Sequence, residues 1–565
     1  MAKRQAANNS NKQAAEQPAA KKAARKAPAK ATSAVKKAAK KPAKKAAKAA
    51  GPAASPVPSE TATVSKRKAA APAASPRKAA DRLRILHVAS EAVPFAKSGG
   101  LADVVSALPK ALVAGGDDAR IVMPYHNSAR RVAEDAGLRW FPEALVIEAG
   151  GFDHYVGVGE VVVDGVYYYL LACDELFARD GLYGPNGGAD YDDNARRFSV
   201  FCKAALALPR FIGWVPHVIH AHDWQAGLVP ALLERGFNND LPATRTVFTI
   251  HNIAYQGDFW HFDLRLTGLD WSLYNPLQLE HYEKLNLLKA GIVFANRVTT
   301  VSRRYAEEIQ TPEFGYGLDA VIKGHAYKLT GITNGIDSEV WDPGADPHLP
   351  VTYSATNVKG KAACKKALRE ELALETSGNP CLVGIVSRLV EQKGIDLVID
   401  AVSPYILSGR MQLAVLGAGD PAIEHRLRAL QGRHPGWVCF WHGYNEGLAH
   451  RIEAGSDLFA MPSRFEPCGL NQMYSLRYGT LPLVRFTGGL ADTVRDVSDG
   501  EGNGFTFGPI DLGHFSSVLD RALGLYEHHP AEWRAAVKRA MQADHSWDHV
   551  AQEYRELYAR MTFAE

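Results

Sequence analysis

The sequence predicts an α/β protein built from two doubly wound domains. Three observations carry that expectation. Short apolar runs alternate with longer helical patterns, the series of runs restarts after a Gly- and Pro-rich break, and one eight-residue pattern recurs once in each half. Continuously apolar runs followed by helices are what strands buried on both faces of a parallel sheet require.

In the first series the runs are 85–88 (ILHV), 119–123 (ARIVM), 161–171 (VVVDGVYYYLL), 218–221 (VIHA), 246–250 (TVFTI) and 297–301 (RVTTV). The second series is 381–386 (CLVGIV), 412–416 (QLAVL), 438–441 (VCFW), 458–461 (LFAM) and 481–484 (LPLV). Between them lies 331–350 (GITNGIDSEVWDPGADPHLP), whose Gly, Pro and Asp content marks the cut, with the hinge near 331–337. The expected domains are 83–330 and 331–545, with a cleft between them, and the final stretch 546–565 carries apolar residues at helical spacing.

Ahead of this body stands an arm, 1–82, made almost wholly of Ala, Lys, Pro and Ser. Residues 1–80 hold 20 Lys and Arg against two acids, Glu16 and Glu60, whereas the remaining 485 residues hold 45 bases against 59 acids, so the overall charge of +4 hides a basic arm on an acidic body. With no aromatic residue the arm cannot bury enough surface to offset chain entropy, and it is expected to be disordered. It is similar to the tails of linker histones. It suits nonspecific contact with nucleic acid or another polyanion; a plain solubilising tail and a plastid transit peptide are the other readings. No apolar stretch approaches the roughly 18 residues a membrane span needs. The six cysteines (173, 202, 364, 381, 439, 468) include no CxxC pair, which fits a reducing cytoplasm and argues against a zinc ribbon or a disulfide scaffold.

The recurring pattern is SGGLADVV at 98–105 and TGGLADTV at 487–494. In each, a Gly pair precedes a helix and an Asp (Asp103, Asp492) falls in its first turn. Bare amides at a helix N-terminus favour an anion, and Lys97 stands two residues ahead of Gly99 and Gly100. Either loop alone reads first as a tight strand-to-helix turn; two of them, one with a nearby lysine, point to a phosphate-bearing ligand between the domains. In the second domain, 387–396 (SRLVEQKGID) places Arg388 and Lys393 directly after a strand, where α/β sheets bind ligands, although single surface bases are commonly just solvated. The segment 462–472 (PSRFEPCGLNQ) follows LFAM and offers Glu466 between two prolines, then Cys468, Gly469 and Leu470. Cys468 alone reads as an apolar filler or a redox thiol. In the first domain HAHDWQ (220–225) and HNIAYQG (251–257) both follow strands. Their polar residues suit hydrogen bonds to a sugar or phosphate, and His251 is either such a ligand or a structural histidine. His-x-His-Asp also invites zinc, but no further ligand cluster with metal spacing appears, so no metal is expected.

Taken together, KSGGLADVV, HAHDWQAGL, HNIAYQG, TNGID, SRLVEQKGID, PSRFEPCGLNQMYSLRYGT and TGGLADTV resemble, in order and over some 480 residues, the bacterial glycogen synthases and related plant starch synthases. The resemblance implies two facing Rossmann-like domains, the glycosyltransferase B arrangement. It also implies retaining transfer of glucose from ADP-glucose to the non-reducing end of an α-1,4-glucan, glycogen or a malto-oligosaccharide, without a cofactor. It assigns Lys97, Gly99 and Gly100 to the donor diphosphate from one side, and Arg388 and Lys393 to it from the other; Asp103, in the first turn of the same helix, is counted with the substrate-binding residues. Glu466 takes the place of the family's essential carboxylate and His251 that of a histidine near the transferred glucose. Asp223, Asn252, Asn334, Tyr444 and the backbone of Cys468, Gly469 and Leu470 match further donor contacts. The segment 191–198 (YDDNARRF) matches one near the acceptor groove, and the last helix one that crosses back to the first domain. Many related retaining transferases carry a second Glu eight residues after the first; here that position is Tyr474. Glu466 is then the only evident acid in its loop, and same-face attack is favoured over double displacement. Another retaining nucleotide-sugar transferase of the same architecture, or a polyanion-binding protein acting through the arm, are the alternatives.

Overall fold

The structure, a computed structural model, describes residues 82–185, 189–237 and 239–563. The basic arm, but for Arg82, lies outside the described residues, as do two of the residues between Tyr183 and the YDDN segment's approach, Asn186 and Gly187, with Gly188.

In chain order the strands are β1 (Arg84–Val88), β2 (Asp118–Pro124), β3 (Arg139–Ala149), β4 (Phe152–Val163), β5 (Val166–Ala172), β6 (Val218–His222) and β7 (Arg245–Ile250). Three short strands, β8 (Asp258–Trp260), β9 (Glu280–His281) and β10 (Lys284–Asn286), form a small sheet of their own. Then follow β11 (Arg297–Thr300), β12 (Leu329–Gly331), β13 (Cys381–Val386), β14 (Met411–Gly417), β15 (Val438–His442), β16 (Leu458–Met461), β17 (Leu481–Arg485) and β18 (Phe505–Phe507). The first large sheet has nine strands in the order β12-β11-β7-β6-β1-β2-β5-β4-β3, and the second has six in the order β15-β14-β13-β16-β17-β18. Each winds outward in both directions from its first strand, β1 or β13. All pairings of the second sheet are parallel. The central strands are buried along their whole length, as β6 is at every residue, because helices cover both faces.

The first sheet departs from the expected all-parallel form. The run 161–171 is not one strand but parts of two: β4 and β5 pair antiparallel, with Val163 opposite Val166. Asp164 (φ 50°) and Gly165 (φ 79°) make the turn between them, two left-handed residues in succession, which is the geometry an Asp-Gly hairpin provides. β4 is also antiparallel to β3, and both show the alternating exposure of strands with one face in solvent.

Helix α1 (Gly100–Ala114) packs against the last helix, Trp547–Phe563. Trp547, Val550, Tyr554 and Tyr558 join Leu83, Ile85, Val104 and Leu108 in one buried cluster, and the Tyr558 hydroxyl lies 2.7 Å from His220 Nδ1.

A second contact binds the two sheets' lobes together. The helix Arg303–Glu308 of the first lobe faces the helix Gly488–Thr493 of the second. The buried Glu308 carboxylate accepts hydrogen bonds from the Gly488 amide and the Thr487 hydroxyl at 3.1 Å. In return Asp492 accepts from the amides of Arg303 (2.7 Å) and Arg304 (3.2 Å), the open start of the opposite helix. This corrects the expectation for TGGLADTV. Its Gly488 amide does hold an anion, but that anion is a carboxylate of the same chain, and the loop does not border the cleft described below. Removing the Glu308 carboxylate strands buried donors, so Glu308→Ala is expected to cost about 3 kcal/mol. That cost is read from the denaturant midpoint at unchanged slope; a loss under about 0.5 kcal/mol would show the contact to be idle.

Candidate active site

The carboxyl ends of the two sheets' central strands look onto one cleft of about 1380 Å³. All fifteen site residues expected from the sequence border it: Lys97, Gly99, Gly100 and Asp103 after β1; Asp223, His251 and Asn252 after β6 and β7; Asn334; and, from the second lobe, Arg388, Lys393, Tyr444, Glu466, Cys468, Gly469 and Leu470. Open α/β sheets place ligands at this position, outside the strand ends where the winding direction reverses.

On the first lobe, α1 begins at Gly99 with no side chain capping its amides. Lys97 is half-exposed and donates to Asp103 at 2.8 Å. Burial raises the Asp103 carboxyl above its ordinary range, with Lys97 pulling the other way. The loop is shaped by a residue that motif reading passed over, Glu91. Its buried carboxylate accepts from the Ser98 hydroxyl at 2.6 Å, from the Ser98 amide and from the Tyr183 hydroxyl. Glu91 also follows a strand end, which is the signal that marks it. The YDDNARRF segment serves this loop from behind: Arg197 is fully buried and donates to Asn194 (2.6 Å), Leu176 O and Leu182 O, and Asn194 donates to Tyr183 O.

Asp223 adopts φ 56°, ψ −177°, a conformation costing a non-glycine residue on the order of 1–3 kcal/mol. It is held there because its carboxylate accepts from the His251 amide at 2.7 Å. Burial raises its pKa to about 7, against the pull of the His251 and Asn252 amides. His251 Nε2 lies 3.0 Å from His222 Nδ1, and His222 Nε2 lies 3.1 Å from His87 Nδ1. His220 bonds Tyr558 and, at 2.5 Å, Thr249. His220 and His222 are therefore interior groups and not sugar ligands. One ring nitrogen from each of His87, His220 and His222 lies within 4.8 Å of the other two, so the third histidine that sequence spacing lacked comes from β1, although protein groups already engage both nitrogens of His220 and of His222.

On the second lobe the loops after β13 and β16 are tied to each other. Arg464 makes a forked pair with Asp396 (2.9 and 2.8 Å), its amide donates to Gln392 O at 2.8 Å, and the Gln392 side chain donates to Phe465 O. Gly394 takes φ 65°, and a Cβ there would lie 2.0 Å from Pro462 O, so only glycine lets the loops meet this closely. The result sets Lys393 Nζ 2.6 Å from Glu466 Oε2, which also accepts from Ser463 Oγ at 2.9 Å. Glu466 is buried. Arg388 is exposed at the cleft and makes no side-chain hydrogen bond or ion pair among the described residues. Burial pushes the Cys468 thiol up to about 12, which leaves it an un-ionised filler and no redox thiol. Asn334 sits beside it, with its Oδ1 buried and without a partner among the described residues. Tyr474 lies flat on Trp341 (centroids 3.8 Å apart), whose other face carries His450, also at 3.8 Å. Burial opposes a charge on His450, but Asp346 at 2.7 Å and Glu446 at 3.7 Å outweigh it and raise its pKa to about 9. The exposed Tyr444 ring stands next to this cluster, its hydroxyl donating to Glu446.

Residues 84–324 match the family described as "Starch synthase catalytic domain" and residues 369–539 that described as "Glycosyl transferases group 1". The glycogen synthase of Anaeromyxobacter dehalogenans (strain 2CP-C) is 47% identical over 481 residues, 84% of this chain and 99% of that protein. The chain belongs to the glycogen synthases. That of Syntrophotalea carbinolica is 43% identical over 482 residues, 85% of this chain and 99% of its own. Among solved structures, the catalytic domain of starch synthase IV from Arabidopsis thaliana is 35% identical with a TM-score of 0.78, covering 85% of this chain and 99% of that one. Sucrose-phosphate synthase from Thermosynechococcus elongatus, at 19% identity and a TM-score of 0.54, shares the fold. This glycogen synthase has the two-lobed glycosyltransferase B architecture and transfers glucosyl units to a glucan from a nucleotide-sugar donor. No helix among the described residues is long and apolar enough to cross a membrane.

A raised folded-state pKa gives His450 a stabilising charge that is fully present below its unfolded value of 6.5 and lost as pH climbs through about 9. The stability gap between the native glycogen synthase and His450→Gln is therefore expected to be largest near pH 6 and to shrink above pH 9, followed by chemical denaturation at a series of pH values. A gap independent of pH would show that His450 is uncharged.

Proposed function

We propose that this glycogen synthase takes ADP-glucose as donor and adds its glucose, with retention, to the non-reducing end of an α-1,4-glucan. The observation that carries this reading is the gathering of three cations, Lys97 from one lobe and Arg388 and Lys393 from the other, round one cleft with the uncapped start of α1. Breaking the glucose–phosphate bond leaves negative charge on the departing ADP, and cations with aimed amides stabilise it in a confined site. The starch synthase IV domain was bound to ADP and acarbose, which supports an ADP donor and a sugar-chain ligand.

In this reading Lys97 turns from Asp103 to the diphosphate, Gly99 and Gly100 offer amides, and Arg388 meets the phosphates from across the gap. Lys393 is shared between the diphosphate and Glu466. Glu466, held by Lys393 and Ser463 through one oxygen, positions charge beside the developing positive sugar. Tyr444 takes the nucleotide, while Asp223, His251, Asn252, Asn334 and the 468–470 backbone orient the glucose. The bond from C1 to the phosphate oxygen breaks and one from C1 to the acceptor oxygen forms on the same face, with the acceptor's proton passing to the leaving phosphate. Tyr474 where related transferases carry a second carboxylate, stacked on Trp341, favours this course over a covalent intermediate. The free state of all six cysteines fits work in the cytoplasm, and the basic arm adds a nonspecific polyanion contact.

Initial rates with each nucleotide sugar, with glycogen present and metal chelated, are expected to be highest for ADP-glucose. Arg388→Ala with Lys393→Ala is expected to lower kcat by a factor of about 10³ or more, and Glu466→Ala to abolish turnover while donor binding persists. Undiminished turnover in the double variant would refute the reading. A chain truncated to residues 81–565 is expected to keep transfer and lose retention on DNA.

A further inference from the structure

The buried chain His87–His222–His251 runs from the interior of β1 to the cleft, and its ring contacts leave two free ends. The contacts use His87 Nδ1, both nitrogens of His222 and His251 Nε2. The inner end, His87 Nε2, is buried without a partner among the described residues. The outer end is His251 Nδ1, on a residue that borders the cleft.

Burial lowers the pKa of His87 and of His251 to about 3 and that of His222 well below its ordinary value, so all three rings are neutral. The groups packed against the chain are His220, whose ring centroid is 4.0 Å from that of His222, and Asp223, whose carboxyl takes the His251 amide. Tyr558 and Thr249 bond His220 and not the chain.

A neutral imidazole has one N–H, so the protons of the three rings must all point the same way. If each ring donates inward, His87 Nε2–H is a buried donor with nothing to receive it, and orphaned buried N–H groups are rarer than under-used acceptors. If each donates outward, His87 Nε2 keeps a bare lone pair and His251 turns Nδ1–H to the cleft. There phosphate oxygens only accept and sugar hydroxyls accept as readily as they donate, so the ligand is compatible with the outward sense.

We infer that His87 and His222 are positioning residues that fix His251 in its Nδ1–H form and so make it a hydrogen-bond donor to the sugar in the cleft. The inference rests on the reading of His251 as a glucose contact. An unconstrained imidazole carries its proton mainly on Nε2, so Nδ1–H on His251 is a mark of the chain and not of the ring itself.

Solid-state ¹⁵N NMR of the histidine-labelled full chain reads the tautomer, with His251 assigned by its loss in His251→Ala. The native protein is expected to show His251 protonated on Nδ1. In His87→Asp the carboxylate can only accept, so His222 must donate to it from Nε2 and accept from His251 through Nδ1; His251 is expected to revert to Nε2–H with kcat lowered about tenfold, the loss of one hydrogen bond of about 1.4 kcal/mol. In His87→Leu the bare lone pair passes to the buried His222 Nε2, the outward sense is still preferred, and the Nδ1–H form and kcat are both expected to be retained. Nε2–H on His251 in the native protein, or Nδ1–H kept on His251 in His87→Asp, would overturn the inference. Full turnover in His251→Ala would instead overturn the reading of His251 as a glucose contact, leaving the tautomer result to stand by itself.

Discussion

Everything in the cleft depends on the reciprocal hold between the helices Arg303–Glu308 and Gly488–Thr493. A parallel sheet can place functional groups only beyond its own strand ends. Two such sheets make one site only if their strand ends are kept facing each other. Glu308 on the Gly488 amide and Asp492 on the first amides of the opposing helix do this with two carboxylates and five main-chain or hydroxyl donors, Thr333 included. The glycine that makes it possible lies directly under the loop of Glu466: a Cβ on Gly488 would fall 1.8 Å from Glu466 O. The contact that fixes the lobes therefore also seats the buried carboxylate of the site.

Within the cleft the charges come in two kinds. Lys97 and Lys393 are already bonded to acids, Asp103 and Glu466, whereas Arg388 is exposed without such a partner among the described residues. Two cations held by carboxylates cost little to keep in a half-buried place, and each can pass to a phosphate oxygen when one arrives. Their hold also orders the groups that carry them: the 2.6 Å pair between Lys393 and Glu466 joins two loops that Arg464 and Gln392 have already drawn together.

Much of this was legible in the sequence, because chemistry in this fold sits just after strands and the strands are short apolar runs. SRLVEQKGID, PSRFEPCGLNQ and HNIAYQG all declare themselves in that way. What was not legible depends on neighbours far apart in the chain. His87 meets His222 across 135 residues because β1 lies beside β6, and Glu308 meets Gly488 across 180; no spacing rule contains either. Glu91 carried the right signal, a carboxylate after a strand, but lacked a motif around it. The hairpin in VVVDGVYYYLL was readable from Asp164-Gly165, yet nine apolar and aromatic residues around that pair gave the run the look of one buried strand. The TGGLADTV repeat misled because a helix start with bare amides binds any carboxylate, including one from its own chain.

The most direct test is a crystal structure of the full chain with ADP bound. The account predicts that the diphosphate lies between the lobes, with phosphate oxygens in hydrogen-bond reach of Arg388 and Lys393 on one side and of Lys97 or the Gly99–Gly100 amides on the other. A diphosphate touching groups of one lobe alone would contradict it.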